Sequence, residues 1–178
     1  IDASEAQDLA GNNSTAASQF ERTYESTAPV ITLLGSTPVS IEYGSTYTDA
    51  GATATDANDG SLTGSIITVN PVNTSVLGTY TVTYNVSDAA TNSATQVTRT
   101  VTVVPRAITV TAATDSRVYN GTASSTGTPT ITSGALVLGN TANFTQTYNN
   151  KNVGTGKTLT PAGSVSDGNG GANYAVTF

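Results

Sequence analysis

The chain has 178 residues, of which only 10% are charged, and it carries a net charge of −6 with a pI near 4.2. The absence of Cys and His excludes disulfides, thiol chemistry and histidine-based nucleophile–base pairs. An acidic chain without clustered basic residues or a long apolar run is also expected to have no nucleic-acid partner and no membrane insertion of this segment.

Residues 1–28 have the pattern of a β-hairpin. A turn-rich loop, SEAQDLAGNNS, precedes the return strand SQFERTY. The stretch from Asp8 to Pro29 resembles the later stretch from Asp88 to Pro105, and both contain an Asp, small residues and a Q-x-x-R-T strand. A lone hairpin is marginal in water. We therefore expect residues 1–28 to be the C-terminal hairpin of a preceding module or strands donated to another chain.

Residues 29–105 show short strands at near-regular spacing with turn residues between them, which is typical of a β-sandwich. Tyr80, Val82, Tyr84 and Val86 alternate with polar residues and define the clearest strand. The other predicted strands are Val30–Leu34, Val39–Ile41, Ala52–Thr55, SIITVNP up to Pro71, and TQVTRTVTVV.

Residues 106–178 are also predicted to be all-β, with a different arrangement. Strands are expected in RAITVTAA, in ANFTQTYNN and at Tyr174–Phe178, and Asn120-Gly121 predicts a type I′ turn. The chain ends inside the last of these strands, which leaves open whether the unit lacks its final strand.

Two family resemblances support this division. Within residues 29–104, three stretches resemble the bacterial Ig-like domain of surface proteins. They are PVITLLGSTPVSIEYGSTYTDAGATATDANDG, VLGTYTVTYNVSDAATNSAT and TRTVTV. Within residues 106–178, two stretches resemble the YDG-type repeat of large adhesins, AITVTAATDSRVYNGT and NKNVGTGKTLTPAGSVSDGNGGANYAVTF. The Tyr-Asp-Gly of that repeat is here Tyr119-Asn120-Gly121. Residues 1–28 look like the last two strands of another Ig-like repeat. The resemblance implies non-catalytic modules in long extracellular or cell-surface proteins.

The candidate site residues are few. Asp49, Asp56 and Asp59 supply oxygen atoms of the kind that calcium prefers, although Asp, Asn and Gly are equally typical of ordinary turns. Tyr80 lies where the tyrosine corner of an Ig-like sandwich would be expected. No other cofactor is expected, and no pair of residues suggests catalysis.

Other residues have ordinary structural interpretations. Arg99 shares the apolar side of its strand, and we expect it to protect an edge or to pack its stem across a sandwich end. Lys151 and Lys157 are candidates for an isopeptide crosslink, but polar, Gly-rich surroundings favour solvated side chains. Tyr43, Tyr47 and Tyr148 could stack on sugars or pack in the core.

The sequence thus predicts an all-β protein of tandem Ig-like sandwich modules in an elongated array. Its predicted role is a stalk or spacer segment of a large adhesin or matrix protein. One alternative is a filament subunit that assembles by β-strand complementation, and the other is a carbohydrate- or protein-binding module. The expected partners are neighbouring modules of the same or identical chains, together with surface glycans or proteins.

Overall fold

The computed structural model describes Ala10 and residues 24–178. The hairpin predicted for residues 1–28 lies almost entirely outside these described residues. Within them, regular structure consists of β-strands and one short 3₁₀ turn at Thr63–Ser65. The predicted all-β class is confirmed.

The first module is a sandwich of two sheets. One sheet has the strand order β1-β3-β4, and the other has the order β2-β7-β6-β5, with β2 parallel to β7 and the remaining neighbours antiparallel. The strands are β1 Val30–Leu33, β2 Val39–Glu42, β3 Ala52–Asp56, β4 Gly60–Ser61, β5 Ile67–Val69, β6 Gly78–Asn85 and β7 Val97–Val104.

The core of this module lies between the two sheets. The alternation along β6 buries Val82 and Tyr84 completely, and β7 contributes Val101. The facing sheet contributes small side chains, Ala52 and Ala54, together with Ile31. Because Ala leaves little bulk on β3, the large ring of Tyr84 fits between the sheets, in agreement with close packing of protein interiors.

The second module contains a three-stranded sheet, β12-β8-β9, and a long two-stranded ribbon, β10-β11. β12 is parallel to β8, whereas β8–β9 and β10–β11 are antiparallel. Ile108 and Val110 of β8 are buried against Phe144 of β10 and Val165 of β11. The strands are β8 Arg106–Thr111, β9 Thr130–Ser133, β10 Thr141–Tyr148, β11 Leu159–Ser166 and β12 Tyr174–Thr177.

Two strands of the second module were not predicted from the sequence. β9 is short, and β11 contains Pro161 and Gly163, residues that usually argue against a strand. Gly163 has φ of +127°, and a Cβ atom placed there would lie 2.1 Å from the carbonyl oxygen of Asn143. The glycine therefore allows the backbones of β10 and β11 to approach, a requirement that local sequence does not show.

The turn at Asn120-Gly121 differs from the prediction. A type I′ turn needs positive φ at both central residues. Gly121 has φ of +77°, but Asn120 is not among the described residues with positive φ. The Oδ1 atom of Asn120 instead accepts hydrogen bonds from the backbone nitrogen and the hydroxyl of Thr122, at 3.1 and 2.9 Å. The pair forms an Asx-type turn in a long loop and does not join two strands of a hairpin.

Candidate functional site

The carboxylate of Asp49 lies inside the first module, where it accepts three side-chain hydrogen bonds. The hydroxyls of Tyr84 and Tyr47 donate to it at 2.5 and 2.8 Å, and the guanidinium of Arg99 forms a close ion pair with it. The carboxylate is thus occupied by a cation and two hydroxyls. The structure places Asp49 in a polar network with Arg99, Tyr47 and Tyr84.

Arg99 completes this network. Its side chain is 1% exposed, it donates to the carbonyl oxygens of Leu34 and Gly51, and it lies 5.8 Å from the ring centroid of Tyr84. Leu34 follows the end of β1 and Gly51 precedes β3, so these contacts are compatible with the expected packing across a sandwich end. β7 is an interior strand of its sheet, so the expected role in edge protection is wrong. The reason is that a partner carboxylate 50 positions earlier allows the charge to be buried.

The electrostatics of the network are mutually reinforcing. Burial by itself raises the pKa of Asp49, but hydrogen bonds from Tyr84, Tyr47 and Arg99 offset this effect and hold the pKa below its usual value. Burial, followed by the hydrogen bond to Asp49, raises the pKa of Tyr84. The pKa of Arg99 is raised because the bonds to Tyr47 and Asp49 outweigh desolvation. The network therefore holds one negative and one positive charge at neutral pH.

The other two calcium candidates accept backbone hydrogen bonds, Asp56 within its own turn and Asp59 from a distant loop. The Oδ1 atom of Asp56 accepts from the backbone nitrogens of Asn58 and Asp59 at 2.8 and 3.0 Å, and Asp59 accepts from the nitrogen of Ala89 at 2.8 Å. Among Ala10 and residues 24–178, no three acidic side chains come together in a group that could hold a metal ion. Calcium binding at Asp49, Asp56 and Asp59 stays a prediction, and this geometry gives it no support.

Tyr80 lies beside the junction of the modules. Its hydroxyl donates to the carbonyl oxygen of Val76, four residues upstream, at 2.9 Å. This is the hydrogen bond that a tyrosine corner makes. The ring packs with Leu77 against a group of apolar residues that both modules share. Tyr80 therefore connects the turn before β6 with the surface on which the second module rests.

The junction itself is an apolar contact. Tyr43 and Val103 of the first module belong to the same buried group as Ile108 and Tyr174 of the second. The rings of Tyr43 and Tyr174 meet edge to face, with centroids 5.8 Å apart. Only Pro105 separates β7 from β8. We call the contact formed by these residues the joint.

Polar contacts and one glycine shape the joint further. The Arg106 guanidinium donates to the carbonyl oxygen of Tyr43 at 3.3 Å, and the nitrogen of Ala107 donates to Glu42 at 3.2 Å. A Cβ atom on Gly44 would lie 2.4 Å from a methyl carbon of Val137. The absence of a side chain at Gly44 lets the turn after β2 lie directly on the second module. Sequence analysis missed the joint because its residues are separated by up to about 130 positions in the chain.

The described residues contain no helical segment with the length and apolar character that crossing a membrane requires.

The fold and the joint define the class: two β-sandwich modules joined in tandem. Residues 31–103 match the family model described as "Bacterial surface protein, Ig-like domain". Residues 104–177 match the model of the YDG domain. The predicted tandem of a bacterial surface Ig-like domain followed by a YDG domain is confirmed. Neither is a family of enzymes, and the first is a family of surface proteins.

Similarity to individual proteins is more distant. A search of curated proteins finds no match. Among solved structures, the chain is similar to the lipoprotein BT2262 from Bacteroides thetaiotaomicron, with 22% identity and a TM-score of 0.39. The alignment covers 60% of this chain and 53% of that protein, so the chain spans about half of its length. At this level of similarity, the neighbour supports no argument about function.

Proposed function

We propose that this chain is a non-catalytic, extracellular stalk segment that holds other parts of a large surface adhesin or matrix protein at a distance from the cell. The matched families support a surface location, and the joint is the observation that carries the mechanical role. A spacer must resist bending between its modules. A flexible linker would not provide that resistance, because domain motion is the default where the interface between domains is small or polar.

The joint has the features of a stiff connection. Its buried rings and aliphatic side chains come from both modules, and a single residue connects β7 to β8. Bending at Pro105 would expose Tyr43 and Val103, which are 7% and 2% exposed in the folded chain. Exposing a buried apolar side chain costs about 1.5–3 kcal/mol. The joint therefore resists bending between the two modules.

Small-angle X-ray scattering on the full chain tests this proposal. We expect the profile of an elongated monomer with a single module arrangement. Gly44→Ala introduces a Cβ atom against Val137 and should broaden the distribution of inter-module angles. Gly60→Ala is the matched control, because Gly60 also has positive φ but has nothing within 4 Å of the new atom. A compact particle, or equal scattering changes in both variants, would reject the stalk function.

A filament subunit is the second candidate, and the edge strand β5 is the observation that favours it. β5 pairs with β6 on one side and with no strand of the described residues on the other. Ile67 and Val69 are 66% and 56% exposed. An exposed apolar edge is a template for strand addition from another chain.

Light scattering over a range of concentrations distinguishes this candidate. Strand addition at β5 predicts growing particles for the wild type and monomers for Val69→Lys, because an edge lysine blocks pairing. Thr81→Lys, on an exposed position of the interior strand β6, should polymerise as the wild type does. A wild type that stays monomeric at every concentration excludes the filament and leaves the stalk.

A further inference from the structure

A cleft lies at the end of the second module that faces away from the joint. β8 starts at the joint with Arg106 and ends at Thr111, and one wall of the cleft is formed by the residues that follow, from Thr114 to Tyr119. The opposite wall is the loop between Tyr148, where β10 ends, and Leu159, where β11 begins. The cavity measures about 370 Å³, which lies within the range of small-molecule sites.

The cleft concentrates the positive charge of an acidic protein. Arg117, Lys151 and Lys157 all line it, and they are half of the six basic residues of the chain. In the part of the chain that the structure describes, the other two basic residues are Arg99, which is buried, and Arg106, which is held in the joint. The accessible cations of the described residues therefore meet at this one place.

The single acidic residue of the lining does not cancel this charge. The carboxylate of Asp115 accepts hydrogen bonds from the Ser125 hydroxyl at 2.5 Å and from the Thr126 nitrogen at 3.0 Å. These bonds lower the pKa of Asp115 to about 2, and the bond from Ser125 has the largest effect. Asp115 is committed to holding the loop that follows Gly121. Three cations against one carboxylate leave the lining with an excess of positive charge.

The cations differ in their freedom to bind a ligand. Arg117 is fixed, since it stacks on Tyr148 at 5.2 Å and donates to the hydroxyls of Thr122 and Ser124 at 3.1 and 3.3 Å. Lys157 is half-buried, and its ammonium contacts the side-chain oxygen of Asn150. Lys151 is exposed and has no hydrogen bond or ion pair with any described residue. Arg117 thus supplies a positive charge at a fixed position, and the two lysines are the groups that can reach an anion.

The remaining lining suits a polyhydroxylated ring. Tyr119 is 59% exposed and offers an aromatic face, and Val153 at 82% exposure adds an aliphatic one. Around them lie neutral amides and hydroxyls. Amphipathic rings such as Tyr combine contact area with a polar end, which is why they are common in recognition sites. An acidic peptide would satisfy the lysines and could bond the neutral rim through its backbone, but its acidic side chains have no ring to lie against Tyr119.

We propose that this cleft binds an anionic saccharide, a sugar ring that carries a carboxylate or sulfate group. Lys151 and Lys157 pair with the anionic group, Tyr119 packs against the ring, and Asn150 and Asn152 bond its hydroxyls. The site would let a stalk segment hold acidic polysaccharide along its length, with the ligand approaching from the side that is away from the joint.

Calorimetric titration of the full chain tests the proposal, with short oligogalacturonate as the carboxylate probe, dextran sulfate as the sulfate probe and a neutral malto-oligosaccharide of matched length. We expect binding of at least one anionic probe and none of the neutral one. Lys151→Gln with Lys157→Gln should weaken binding about tenfold, and raising NaCl from low to physiological concentration should weaken it further. Tyr119→Ala should weaken the binding of each anionic probe that the wild type binds.

The control is Thr81→Glu, which changes the net charge in the same direction as a Lys→Gln substitution but lies on an exposed position of β6 in the other module. It should leave binding unchanged. Equal loss in the control and the lysine variants, binding of the neutral oligosaccharide, or no binding of either anionic probe would overturn the proposal. Poly-glutamate binding at the same strength would overturn it too, in favour of an acidic peptide ligand. None of these outcomes alters the scattering test of the stalk.

Discussion

Substituting Asp49, the partly buried carboxylate that pairs with the buried Arg99, should destabilise the first module strongly. Asp49→Asn keeps the size of the side chain but removes its charge. Three donors, from Tyr47, Tyr84 and Arg99, converge on the two oxygens of Asp49. An amide offers one oxygen and one NH₂ group. With its oxygen towards Arg99 and Tyr47, its NH₂ group would face the backbone N–H of Gly51, which donates to the other oxygen of Asp49 at 3.0 Å. The guanidinium of Arg99 would also be left buried without a counter-charge.

The magnitude follows from this geometry. Removing one partner of a buried ion pair costs about 3–5 kcal/mol. A module of this size is expected to have a stability of roughly 5–15 kcal/mol, so the loss is a large fraction of the total. Replacing Arg99 by Met in the same chain removes the unpaired charge. The double variant should therefore be more stable than the sum of the single losses predicts, by about 0.5–3 kcal/mol.

Urea unfolding followed by circular dichroism measures these free energies. Because two modules can unfold separately, hydrogen exchange of peptides from β6 and β7 assigns the transition to the first module. Asp59→Asn provides the same chemical change at an exposed position of that module. We expect it to cost less than about 1 kcal/mol, as surface substitutions usually do.

The reasoning would be refuted if Asp49→Asn and Asp59→Asn shifted the urea midpoint equally. It would also be refuted if the losses from Asp49→Asn and Arg99→Met were simply additive, since additivity would mean that the two side chains do not interact.

Three further predictions follow from the described contacts. The pKa of Asp49 is lowered on folding, so the ionised carboxylate stabilises the folded module above the unfolded pKa of 3.8, and this contribution is lost as pH falls through the folded pKa. The urea midpoint of the wild type should therefore drop below about pH 4, and that of Asp49→Asn should change less. Gln146 is 2% exposed and bonds both the backbone nitrogen and the backbone oxygen of Ala113 at 2.8 Å. Gln146→Leu should therefore lower the free energy of unfolding by about 2–4 kcal/mol and speed hydrogen exchange at Ala113. Gln96→Leu, at an exposed position, should do neither. Tyr80→Phe loses the bond to Val76 and should cost about 0.5–1.5 kcal/mol in urea unfolding, and no measurable cost would show that this bond is not stabilising.

Local sequence determined the strands whose two faces differ. β6, β7 and β10 were predicted because apolar and polar residues alternate along them with the period of a half-buried strand. The tandem of two module types was also predicted from short sequence motifs, because each module has its own arrangement of turn residues and strand patterns. These signals need no knowledge of which strand pairs with which. β11 was not predicted because Gly163 is required by the close approach of the β10 backbone, which the sequence of β11 does not show.

The sites depend on partners that are distant in the chain, and only the tertiary structure decided them. Sequence placed Arg99 on the apolar side of β7, but its role was settled by Asp49, 50 positions earlier in the connection between β2 and β3. Lys157 and Arg117 lie 40 positions apart, and their charges meet only because β8 and β10 end, and β11 begins, at the same edge of the second module. Periodicity records which way a side chain faces, whereas pairing and burial are long-range properties of the folded chain, and it is these that created the ion pair, the joint and the cleft.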